Sequence, residues 1–126
     1  MTERIPIRSE DAPAPGGPYT QAIRSGGFLF LAGQAPFRPD GSRVDGPFED
    51  QARQTLNNLQ AVAAAAGASL ADAVRVGVYL RDMSNFAAMN MIYAEFFRDP
   101  MPARTTIQSD LPGFEIEIDA VLAMSG

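Results

Sequence analysis

The densest potential for chemistry lies in the last quarter of the chain. Alternation over a strand from Ala103 to Ser109 puts Arg104, Thr106 and Gln108 on one face, opposite Thr105 and Ile107. Over a second strand, Glu115 to Met124, it puts Glu115, Glu117 and Asp119 on one face, opposite Ile116, Ile118, Ala120 and Leu122. An arginine offers a planar fork that matches a carboxylate. A neighbouring carboxylate can activate water as a general base. Three acids on one face repel one another, and either one pKa rises or solvent relieves the repulsion. The apolar faces of both strands are expected to pack under helices. The two polar faces then point to the helix-free side and bring Arg104 and Glu117 near each other if the strands pair. Pattern alone favours the plainer reading, a solvated sheet face; an anion-binding cleft is the alternative.

Five further positions stand out. Tyr19 follows Gly16-Gly17-Pro18 and is an aromatic on a loop, either packed or lining a site. Asn90 sits in a helix rich in Met and aromatics, as a solvent-facing or capping amide or as a ligand contact. Gly33 ends an apolar strand, as a turn glycine or a place where backbone approaches a ligand. Asn57 and Asn58 read as solvated helix surface.

Composition removes much other chemistry. The 126 residues include no Cys and no His. A Ser-His-Asp triad, a thiolate nucleophile and a Cys/His zinc site are therefore excluded. Any metal site would need oxygen ligands and hence a hard ion. The ten basic residues are all Arg, scattered from Arg4 to Arg104, against a net charge of −5. That balance disfavours a nucleic-acid backbone as partner. A hydrophobic fraction of 46% against 20% charged marks a globular chain rather than a disordered one. No run approaches the roughly 20 apolar residues of a membrane helix. The segment Met1 to Pro6 lacks the apolar core of a signal peptide, so the cytoplasm is the expected compartment.

The elements that must position these residues follow from periodicity. Asp11 to Pro18 is a Pro/Gly-rich loop. Ala22 to Ser25 and Phe28 to Gly33 read as strands joined by a turn at Gly26-Gly27. Phe28 to Ala32 is apolar on both faces, which calls for cover on both sides. Phe48 to Ala66 reads as a helix with Ala52, Leu56, Leu59, Val62 and Ala63 on one face, stopped by Gly67. Ala73 to Leu80 is a strand. Ser84 is expected to cap a second helix running to about Phe97. The order β-β-α-β-α-β-β, with a short extra strand near the start, predicts a two-layer α+β domain spanning residues 1–126. Its mixed sheet carries both helices on one face. The open face then predicts self-association.

The residues also carry a resemblance. Gly17-Pro18-Tyr19-Thr20-Gln21-Ala22, Ala32-Gly33-Gln34, the helix segment Gln51 to Asn58, the helix Phe86 to Phe97, and Pro102-Ala103-Arg104 through Ile116-Glu117-Ile118 are collinear with motifs of one family. Over residues 11–122 the chain resembles the RidA/YjgF reactive-intermediate deaminase family. The resemblance implies a chorismate-mutase-like fold of the bacillus type and a homotrimer with active sites between subunits. It implies hydrolysis of 2-aminoacrylate/2-iminopropionate-type enamines and imines to 2-keto acids and ammonia, with no cofactor and no metal. By position, Arg104 matches the arginine that grips the substrate carboxylate and Glu117 the glutamate that orients water. Tyr19 and Asn90 match residues lining the cleft, and Gly33 and Thr106 match positions whose main chain contacts the ligand. Ala32 stands where typical members have Ser, and Thr106 where many have Cys. Three other readings remain open at this point. One is a pathway-specific deaminase of the 3-aminoacrylate or 2-aminomuconate type. Another is a small-carboxylate-binding or chaperone-like trimer without catalysis. The third is the endoribonuclease label often attached to the family.

Overall fold

A computed structural model describes residues 2–124. Six strands form one mixed sheet: β1 (Ile5–Ile7), β2 (Ala22–Ser25), β3 (Phe28–Gln34), β4 (Ala73–Leu80), β5 (Ala103–Gln108) and β6 (Ile116–Ala123). Their order across the sheet is β1-β2-β3-β6-β4-β5. Only the β4/β5 pair is parallel. Two helices, α1 (Phe48–Ala65) and α2 (Phe86–Phe96), cover one face. The architecture is the two-layer α+β arrangement expected from the sequence. No helix of the described residues is long and apolar enough to cross a membrane.

The core lies between the helices and one face of the central strands. Leu29 and Leu31 of β3, Val76, Val78 and Leu80 of β4, and Ile116, Ile118 and Leu122 of β6 pack against Leu56, Leu59 and Val62 of α1. Glu49 and Asp50 place negative charge in the first turn of α1, where the helix dipole favours it. The C-terminus closes in a Schellman motif. The Ala68 N–H donates to the Ala63 carbonyl at 2.9 Å and the Gly67 N–H to the Ala64 carbonyl at 2.9 Å. Gly67 takes φ +75°, a left-handed conformation that glycine adopts without penalty.

Three expectations are corrected. The cap near the second helix is the Asp82 side chain, which accepts from the Ser84 N–H at 2.9 Å; a short 3-10 turn, Met83–Asn85, then leads into α2. Asn58 is buried, 1% exposed, rather than solvated. The third correction concerns the last two strands. β5 and β6 do not pair; β4 lies between them. Arg104 is in register with Val76, which faces the helices, and Glu117 with Tyr79, which faces away from them. Alternation had identified which residues share a face on each strand. The face of β5 expected under the helices, that of Ile107, points away from them, 47% exposed, because which side of a strand is buried is set by its long-range register and not by alternation.

The helix-free face is mixed in character. Phe28 and Phe30 stand on it 44% and 46% exposed, with ring centroids 6.4 Å apart. Beside them the same face carries Glu117, Asp119, Tyr79 and Arg75.

Candidate functional site

Glu117 occupies the middle of the sheet on its open face, between β3 and β4. The β3/β6 pairing slips between Leu31 and Gln34, and Gly33 lies within that irregular stretch. A Cβ on Gly33 would sit 2.5 Å from Glu117 Oε2, so the missing side chain is what makes room for the carboxylate. Burial pushes the Glu117 carboxyl above the usual carboxylate range, and the nearby charge of Asp119 adds to the rise. A base shifted this way is better matched to proton transfer near neutral pH.

Tyr19 projects over the same region, 52% exposed. Its hydroxyl accepts from the Gly16 N–H at 3.1 Å, and its own N–H donates to the Gly17 carbonyl at 2.8 Å, so the Gly-Gly-Pro loop is folded tightly on the ring. Tyr19, Gly33, Phe114 and Glu117 line one cavity of about 380 Å³.

Buried amides hold this half in place. Gln21 is 2% exposed; its Oε1 accepts from the Ser9 N–H at 2.7 Å, and its Nε2 donates to the Pro13 carbonyl at 2.9 Å and the Ser9 carbonyl at 3.1 Å. Asn58 reaches from α1 to the segment after β3, donating to the Phe37 carbonyl at 2.7 Å and the Ala35 carbonyl at 3.2 Å. Gln51 accepts from the Glu115 N–H at 2.9 Å and so fixes the entry into β6 two residues before Glu117. Gln21 and Gln51 were not singled out by type, and Asn58 was read as solvated surface. One signal was available: Gln51, Thr55 and Asn58 recur at i, i+4, i+7 in the same stripe as the apolar face of α1. A polar residue in such a stripe needs a buried hydrogen-bond partner.

Arg104 lies on the other side of the sheet, against α2. Its guanidinium carbon is 4.7 Å from the centroid of the Tyr93 ring and 5.6 Å from that of Phe86. Among the described residues it makes no ion pair. Aromatic faces hold a cation by their quadrupole without neutralising it, which leaves the guanidinium donors available to an anion. Arg104, Asn90, Tyr93 and Met101 line a second cavity of about 340 Å³. The Asn90 Oδ1, the Tyr93 hydroxyl and, one alternation beyond Arg104, the Thr106 Oγ1 are all buried without a hydrogen-bond partner among the described residues. Buried polar atoms are rarely left so unless something else satisfies them.

The structure thus gathers Tyr19, Gly33 and Glu117 at one cavity and Asn90 and Arg104 at another, with Thr106 beside the second. It does not bring the two sets together within one chain. One set carries a carboxylate whose pKa is raised, and the other a cation with no ion-pair partner among the described residues, in a cavity that Asn90 and Tyr93 also line.

Comparison with known proteins finds extensive likeness. The family model described as Endoribonuclease L-PSP matches residues 9–124. A RutC family protein of Pyrococcus horikoshii is 51% identical over 118 residues, 91% of this chain and 94% of that protein. A 2-iminobutanoate/2-iminopropanoate deaminase of Dermatophagoides farinae is 37% identical over 127 residues, covering 98% of this chain and 99% of that one. Among solved structures, RidA of an Antarctic Psychrobacter is similar with a TM-score of 0.88 and 36% identity, over 94% of this chain and 98% of that chain.

Proposed function

Because the chain belongs to the RidA/YjgF family, the one described as endoribonuclease L-PSP, we propose that it hydrolyses reactive enamine and imine intermediates to 2-keto acids and ammonia. The substrates of this reading are of the 2-aminoacrylate/2-iminopropionate type, the enamine reacting as its protonated imine tautomer after a proton from solvent adds at its terminal carbon. The observation that carries it is the separation of Arg104 from Glu117. An anion-binding cation and a water-activating base stand on opposite faces of the sheet, each opening on its own cavity. A complete site then needs two subunits. In the proposed homotrimer each site joins the Arg104 side of one subunit to the Glu117 side of the next, and the exposed Phe28 and Phe30 become interface.

Arg104 takes the substrate carboxylate in a bidentate fork, which orients the neighbouring imine carbon. The main chain at Gly33 and Thr106 and the side chains of Tyr19 and Asn90 line the bound molecule. Glu117 holds a water and takes one of its protons as the oxygen bonds to the electrophilic imine carbon. The result is a tetrahedral carbinolamine. Glu117 returns that proton to nitrogen. The C–N bond then breaks as the hydroxyl oxygen becomes a carbonyl and gives up its proton, and the products are a 2-keto acid and ammonium. A protonated imine is electrophilic already, so positioning and one base suffice without His, Cys, metal or cofactor.

Within this reading the protein works in the cytoplasm as one domain, and nucleic acid is not its substrate. The net charge of −5 and the scattered arginines disfavour a phosphate backbone.

The test is subunit mixing. Arg104→Ala and Glu117→Gln are each expected to be inactive in a keto-acid assay with freshly generated 2-aminoacrylate. A one-to-one mixture, dissociated and reassembled, regains about a quarter of wild-type activity, because random placement around a head-to-tail ring leaves that share of interfaces with both wild-type halves. No recovery in demonstrably mixed assemblies overturns the shared site.

A further inference from the structure

Asp119 lies two residues beyond Glu117 on the same face of β6. The Tyr79 hydroxyl donates to Asp119 Oδ2 at 2.9 Å. Tyr79 is the cross-strand partner of Glu117, and Gly77 is that of Asp119. A Cβ on Gly77 would lie 2.5 Å from Asp119 Oδ1 and 3.1 Å from the Tyr79 hydroxyl oxygen. Gly77 is therefore a notch in which a carboxylate and a phenol are seated together. Gly33 makes a second notch for Glu117. The two carboxylates differ in one respect. Asp119 is tied down by Tyr79, whereas Glu117 accepts no hydrogen bond among the described residues.

We propose that Asp119, fixed by Tyr79 over the Gly77 notch, is a positioning residue that keeps Glu117 basic enough to take a proton from water. Its catalytic consequence rests on the hydrolytic reading above; its electrostatics do not. A like charge held at constant distance disfavours ionisation of its neighbour. A carboxylate free to rotate toward solvent would exert a weaker and more variable field. The phenol removes that freedom, and the notch lets the phenol lie close enough to do so. Groups from β6, β4, the early loop and β3 face Glu117. β6 contributes Asp119, and β4 contributes Tyr79. Arg75 stands farther along β4 and is occupied with Thr105 at 2.9 Å. The early loop contributes Tyr19, and the facing residue of β3 is Gly33. Within the chain Asp119 is the like charge in this set, and burial, the larger cause of the raised Glu117 value, acts in the same direction; the arginine that the proposed trimer brings across from the next subunit acts the other way, and it is common to wild type and both variants.

The experiment is a carbon-detected NMR titration of the Glu117 carboxyl in the assembled protein. It is run on wild type, Asp119→Asn and Tyr79→Phe, with the pH profile of kcat/KM measured alongside. Asp119→Asn is nearly isosteric and is expected to move the Glu117 midpoint to lower pH. The acid limb of kcat/KM moves with it, and the plateau rate falls because the base is weaker. Tyr79→Phe keeps the ring over Gly77 and is expected to give a smaller shift in the same direction. An unchanged Glu117 midpoint in Asp119→Asn overturns the proposal. A shift in Asp119→Asn with none in Tyr79→Phe overturns the locking role of the phenol. A shifted midpoint in a protein without deaminase turnover leaves the electrostatic coupling standing and sinks the hydrolytic reading instead, so the two failures are distinguishable.

Discussion

Arg104 and Glu117 lie on opposite faces of one sheet, with β4 between their strands. Arg104 is level with Val76, which is buried under the helices, and Glu117 with Tyr79 on the open side. No side-chain rotation in a single chain brings a guanidinium through a hydrogen-bonded sheet to a carboxylate on its far side.

Arg104→Ala is expected to lower kcat/KM for imino-acid hydrolysis by about 100-fold or more, since a bidentate clamp on the substrate carboxylate is lost. Arg104→Lys keeps the charge but loses the fork and the stacking on Tyr93 and Phe86, so it recovers only a minor part. The coupled keto-acid assay reads both. Circular dichroism should show native folds, because the guanidinium has no acid partner to orphan among the described residues.

Glu117→Gln should lose turnover yet gain stability at neutral pH. The folded-state pKa of Glu117 is raised, mainly by burial, so folding disfavours the charged form. The protonated form carries no such cost. The penalty is thus absent below the unfolded carboxyl pKa of about 4.3 and appears as pH rises through the folded value. The melting temperature of Glu117→Gln should exceed that of wild type at pH 7, by a few degrees at most, since 1 kcal/mol moves a domain of this size by roughly 4 °C. The gap should close toward pH 4. A gap that stays constant across this range is incompatible with the shifted carboxyl.

Gly33→Ala is expected to separate activity from stability. The new Cβ meets the tip of a flexible side chain, Glu117 Oε2 at 2.5 Å, rather than backbone. The carboxylate swings away and the fold accommodates it. Turnover should fall by about 10-fold or more, as misplacement of a catalytic group by about 1 Å costs far more than its stability effect. A Tm unchanged within a few degrees, together with the loss of rate, is the expected pair of readings.

Asn58→Ala tests the scaffold instead. It leaves the Ala35 and Phe37 carbonyls without their buried donor, at a cost of about 1–3 kcal/mol. Chemical denaturation should show a lower midpoint at unchanged slope. Hydrogen exchange should speed up in residues 35–44 ahead of the core strands.

The sequence was sufficient for the elements, because periodicity is a local property. The stripe Ala52, Leu56, Leu59, Val62 marked α1, and the alternation Ile116, Ile118, Ala120, Leu122 marked β6 and its buried side. Resemblance over the collinear motifs supplied the family and singled out Arg104 and Glu117. Asn58 and Gln51 escaped because their partners, the carbonyl of Phe37 and the N–H of Glu115, are 21 and 64 residues away along the chain. Side-chain type alone does not reveal a partner brought in by packing.

By itself, then, the sequence determined a two-layer α+β domain, the exclusion of His and Cys chemistry, and which side chains share a face on each strand. Only the tertiary structure decided that Arg104 is level with the helix-facing Val76 and Glu117 with Tyr79 on the open side, which puts the cation and the base on opposite faces. The physical reason is that strand order depends on long-range pairing and crossover connections, whereas alternation within a strand is fixed by the geometry of the extended backbone. That register against β4 turned two polar strand faces into two separate half-sites.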